Sequence, residues 1–96
     1  MKAKIYGVGG YTDQILWESV QMAAEELKMK VEIEKIEDIE SFMKLGIWAI
    51  PALLLDETLV SYGRVPCVSE LKRYIIDQFN KEKDVNSMNT EPINRA

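Results

Sequence analysis

The chain has 96 residues, 47% of them hydrophobic and 29% charged, a composition that suits one globular domain with an ordinary core. Against 16 Asp and Glu stand 12 Lys and Arg, a net charge of −4, and no basic cluster is longer than Lys81-Glu82-Lys83, so nucleic acid is not an expected partner. Histidine is absent and cysteine occurs once, which removes histidine-assisted nucleophiles, ordinary zinc sites and any internal disulfide; no metal and no cofactor are expected.

The amino terminus, Met1 to Tyr6, is basic but lacks the apolar run of roughly 7–15 residues that a secretory signal needs. No stretch reaches the roughly 20 apolar residues of a spanning helix. These features lead to the expectation of a cytoplasmic protein with no membrane partner.

Residues Lys2 to Val8 alternate loosely and run into glycine, which predicts a short strand. From Asp13 the period changes: Leu16, Val20, Ala23 and Leu27 share one helical stripe, with Gln14, Glu18, Gln21, Glu25 and Lys28 opposite. Thr12 or Asp13 is the expected N-cap, because either side chain can accept from an orphan amide of the first turn. Gly9-Gly10 before a helix suggests an anion loop, but no phosphate motif is completed and Asp13 would repel an anion, so a tight turn explains the pair better.

Val31 to Ile36 opens with strict alternation and reads as an edge strand, its Glu32 and Glu34 discouraging further pairing. Asp38 starts a short helix with Ile39, Phe42 and Met43 on one side, and Gly46 stops it. Leu53 to Leu55 shows no polar alternation, as in a central strand covered on both faces, with Pro51 at its opening. Asp56-Glu57 separates it from Thr58 to Tyr62, a hairpin that lacks the usual turn glycine. Leu71, Ile75 and Phe79 then recur in a last helix whose cap lies near Cys67 or Ser69. The domain is expected to span residues 1–81, and residues 82–96 read as a polar C-terminal tail, flexible or loosely docked.

The order β-α-β-α-β-β-α, the loop Gly7 to Asp13, the Ile50-Pro51 step and the Gly63-Arg64-Val65 turn resemble the small thioredoxin-like proteins called the redox-active disulfide protein family. The resemblance covers about residues 1–80. It implies an α/β thioredoxin-like fold with a four-stranded mixed sheet of order 2-1-3-4, flanked by helices, and a cis-proline at Pro51. In those relatives the loop carries Gly-x-Gly-Cys-x-x-Cys. Here Gly10-Tyr11-Thr12-Asp13 stand in its place, so dithiol exchange, the function the resemblance would imply, is expected to be absent.

The resemblance also implies that Gly10 to Asp13, Trp48 to Pro51 and Arg64 to Cys67 converge on one edge, where an extended segment pairs with the residue before the proline. The expected binding residues are therefore Gly10, Tyr11, Thr12, Asp13, Trp48, Ile50, Pro51, Arg64 and Val65, with a protein or peptide segment, or a second copy as a homodimer, as partner. No catalytic residue is expected. The alternative is a monothiol redox or glutathione-linked protein working through Cys67, whose place near Arg64 and a helix start favours thiolate; against it stands the tendency of a free cysteine to be an inert filler at a cap.

Overall fold

The alternation of Ala3 and Ile5 with lysines sends both apolar side chains to one face of β1 (Lys2–Tyr6), where they are buried. The computed structural model describes the backbone of residues 1–90 and, apart from Ile39, the side chains of residues 1–81. The elements that follow are α1 (Tyr11–Leu27), β2 (Glu32–Ile36), α2 (Ile39–Lys44), β3 (Ala52–Leu55), β4 (Thr58–Tyr62) and α3 (Val68–Thr90).

The sheet has the order β2-β1-β3-β4. β1 lies parallel to β2 and antiparallel to β3, and β3 is antiparallel to β4, giving the mixed α/β sheet expected. Interior strands are the apolar ones. β3, buried along its whole length, sends Leu53 and Leu55 to one face and Ala52 and Leu54 to the other.

Those two faces carry separate cores. On one, Ala3, Ile5, Leu53 and Leu55 meet Leu16, Val20 and Ala23 of α1 and Leu71 and Ile75 of α3. On the other, Tyr6, Ala52 and Leu54 meet Phe42 of α2 and Ile47. α2 is only six residues long, so it shields much less of the sheet than the α1 and α3 pair does.

Local details depart from the sequence expectations in three places. Gly10, not Thr12 or Asp13, occupies the N-cap of α1, with no side-chain cap bond. In α3 Phe79 is 44% exposed and Gln78 is buried in its stead. A four-residue repeat drifts by about 40° per step against 3.6 residues per turn, so the stripe that starts at Leu71 and Ile75 continues through position 78. Thirdly, the backbone helix of α3 is longer than the Leu71, Ile75 and Phe79 repeat marks and runs to Thr90, and residues 91–96 lie outside the described residues.

The hairpin between β3 and β4 closes over two residues, Asp56 (φ 49°) and Glu57 (φ 70°), both left-handed without a glycine. Asp56 Oδ1 accepts from the Lys2 amide at 2.8 Å and Lys4 Nζ donates to Glu57 at 2.7 Å, so both turn side chains are tied to β1. Among the described residues no helix is long and apolar enough to cross a membrane.

Candidate functional site

Strand register brings three loops to one end of the sheet. Tyr6 opposes Ala52 and Ala52 opposes Tyr62, so β1 and β4 finish where β3 begins. The Gly63 amide donates to the Pro51 carbonyl at 2.9 Å, and a Cβ on Gly63 would come within 3.2 Å of the Ala49 Cβ. Gly7 to Gly10, Gly46 to Pro51 and Gly63 to Cys67 therefore flank a common surface.

In the first loop, Gly10 is open, with nothing near a Cβ added there, and Tyr11 (80%) and Thr12 are exposed. Asp13 is different: it is 4% exposed, and its Oδ2 accepts from the Gly9 amide at 2.6 Å. A carboxylate at the third helical position thereby satisfies an amide ahead of the helix and places negative charge against the positive end of α1. It is turned into the loop, against Gly7 and Gly9. Gly7 makes this burial feasible, because a Cβ there would land on the Asp13 carboxylate.

The second loop presents its residues unequally. Trp48 is 77% exposed, Ile50 is half-buried against the α2-side core, and Pro51 is buried; the Ile50-Pro51 peptide bond is cis. Among the described residues neither the N–H nor the C=O of Ile50 has a hydrogen-bond partner. A groove of about 390 Å³ lies beside Trp48, lined also by Gly46, Ile47, Ala49, Leu59 and Tyr62.

The arrangement of an apolar strand, a glycine loop, a helix and a proline-led hairpin is matched by sequence as well: the family model described as a thioredoxin domain fits residues 1–76. The chain belongs to the thioredoxin family. A thioredoxin of Methanothermobacter thermautotrophicus is 35% identical over 75 residues, covering 78% of this chain and 97% of the relative. A thioredoxin of Methanocaldococcus jannaschii is 30% identical over 69 residues, 72% of this chain and 79% of that one.

In this thioredoxin domain the single thiol lies on the third loop. Cys67 is exposed and directly precedes α3, its carbonyl accepting from Leu71 at 3.0 Å. Its neighbour Arg64 is committed elsewhere: Nη1 and Nη2 grip Glu70 at 3.1 and 2.8 Å, and Nη2 also donates to the Tyr74 hydroxyl at 3.1 Å. The cation that the sequence places near the thiol is thus paired with a carboxylate on the same helix. Glu70 also accepts from the Cys67 amide at 3.2 Å. The Arg64 hydrogen bond, then the Cys67 amide, hold its carboxyl down at about 2. Glu70 in turn raises the Arg64 pKa.

Of the residues proposed from sequence, Gly10, Tyr11, Thr12 and Trp48 are exposed at the loop end, and Ile50 is half-buried there with its main chain unpaired. Val65 packs against the α1/α3 core, while Asp13 and Pro51 are buried and act on loop shape. Sequence reasoning missed Glu70 and Tyr74, which hold Arg64, and Leu59 and Tyr62, which wall the groove. The spacing of six from Arg64 to Glu70 crosses a loop into a helix, so no periodic pattern signals it. Among the described residues no cluster of acidic or sulfur side chains could hold a metal ion.

Proposed function

We propose that this thioredoxin domain receives an extended protein segment at the loop end of its sheet and performs no dithiol exchange. The observation that carries the reading is the unpaired main chain of Ile50 at the loop end of the sheet, the end that also carries the exposed Tyr11 and Trp48. An incoming strand can pair its own N–H and C=O with Ile50, and an apolar side chain can lie against Trp48 in the adjoining groove. Gly10, Thr12 and Arg64 would border such a segment, and none of these contacts needs sulfur.

Dithiol exchange needs a second thiol to release the substrate from the mixed disulfide. With one cysteine in the sequence, at 67, and Gly10 and Asp13 in the first loop, no internal disulfide can close. A protein-disulfide reduction assay with a thiol reductant tests this. The reading expects no turnover above buffer; turnover that disappears in Cys67→Ser sinks it. Binding is tested by titrating unstructured apolar peptides against wild type and Trp48→Ala, with loss of binding in the variant expected.

The exposure of Cys67 favours a second reading, a monothiol protein linked to glutathione. In that chemistry the Cys67 thiolate attacks one sulfur of glutathione disulfide, the protein–glutathione S–S bond forms and glutathione thiolate leaves. Alkylation rates of Cys67 across pH, native and in denaturant, separate the two. A native thiol that reacts fast, with an apparent pKa well below about 8.5, supports the monothiol reading. A slow or protected thiol supports the binding module.

A further inference from the structure

Glu37 directly follows β2 and holds its carboxylate against the first loop: a Cβ added to Gly9 would come within 2.9 Å of one of its oxygens. The residue is exposed, and among the described residues its carboxylate has neither a hydrogen bond nor an ion pair. Its neighbour Asp38 is engaged in capping α2, accepting from the Glu40 amide at 3.1 Å and the Ser41 hydroxyl at 2.9 Å. Glu37 has no such task.

The cations nearest in sequence or at the same end of the sheet are engaged elsewhere. Lys35 donates to Gln14 at 2.6 Å and lies over the Trp17 ring of α1, and Arg64 is gripped by Glu70. A second carboxylate, Asp13, accepts from the Gly9 amide, so the loop carries two acids with no basic partner among the described residues. Register relates this charge to Ile50. Ile36 and Ala52 oppose Tyr6 from its two sides, which sets the ends of β2 and β3 two strand spacings apart, about 10 Å. Ile36 and Ile50 also pack on the same α2-side core, and the space beside Gly10 is open. Two positions along an extended segment cover about 7 Å, and the four-carbon stem of a lysine spans the remainder.

We propose that Glu37 selects the segment received at Ile50 for a basic residue, Lys or Arg, about two positions from the residue that pairs with Ile50. This rests on the segment-binding reading and names the chemistry of its partner: an extended stretch with an apolar side chain for the groove at Trp48 and a cation over the first loop. Such a cation meets Glu37 without displacing a partner within the chain, and the Asp13 carboxylate adds attraction at longer range. An acidic residue in the same place meets like charge. Because the pair is open to solvent, it contributes more to the choice of segment than to the strength of binding.

The test is calorimetric titration of the full chain with one extended apolar peptide in which each position in turn is Lys, Gln or Glu. At one position Lys should bind about fivefold tighter than Gln, and Glu more weakly than either, with the spread shrinking between about 0.02 and 0.5 M salt. In Glu37→Gln the Lys and Gln peptides should bind alike, and in Glu37→Lys the order should reverse. Peptides that bind wild type with no preference for Lys at any position overturn this inference and leave segment binding standing. A preference that survives in both variants does the same, since it places the selecting charge elsewhere. Absence of binding by every peptide overturns both.

Discussion

The Gly9 amide donates to Asp13 Oδ2 at 2.6 Å, and the same carboxylate fills the space that a Cβ on Gly7 would need. Three residues of one loop are therefore coupled, and the coupling is measurable. Asp13→Ala should cost about 1–3 kcal/mol by stranding an amide, and Gly7→Ala should cost about 1–3 kcal/mol by overpacking. Gly7 is outside the left-handed region, so the backbone adds no penalty. Because removing the carboxylate also removes the clash, the double variant should lose about 1 kcal/mol less than the sum. Urea unfolding of the four proteins gives the cycle; strict additivity would count against this contact.

Acid sensitivity should report the Arg64–Glu70 clamp. The Glu70 carboxyl sits at about 2 in the folded chain against 4.5 ordinarily. Above pH 4.5 it is ionised in both states and its contribution is complete; as the pH falls towards 2 the unfolded chain takes up a proton that the folded one does not, and stability drops. Denaturation midpoints should fall less steeply over that window in Glu70→Gln than in wild type. Parallel curves would show that the clamp does not contribute.

The β3–β4 turn offers a stabilising substitution. Glu57 holds φ 70°, a conformation that glycine adopts without the Cβ penalty. Glu57→Gly should raise stability by about 0.5–1 kcal/mol after loss of the exposed Lys4 pair is subtracted. Glu57→Gln, which removes the charge and keeps the Cβ, should not. Both are compared by denaturant midpoint at micromolar concentration, and equal midpoints would refute the backbone explanation.

Neighbouring positions 47 and 48 should behave in opposite ways. Ile47 is 3% exposed in the α2-side core, so Ile47→Ala should cost about 2–5 kcal/mol. Trp48 is 77% exposed, so Trp48→Ala should change stability by no more than about 0.5 kcal/mol while abolishing peptide binding. A large stability loss in Trp48→Ala would mean that the ring supports the fold and not the binding surface.

The sequence by itself determined the order of elements, the buried stripe Leu16, Val20 and Ala23, the doubly covered strand at Leu53 to Leu55 and the charged edge at Glu32 and Glu34. Each is a period or run within one segment, and a period is set by the geometry of that segment alone. Only the tertiary structure decided that Asp13 is buried, that Arg64 is spoken for by Glu70 and Tyr74, and that Leu59 and Tyr62 share a face. The first needs the end of β1 to approach the start of α1 where Gly7 leaves room. The second needs a loop to fold back on the helix that follows it, and the third a residue inserted against β3. None is a property of spacing along one element, because each depends on where a second piece of backbone comes to rest.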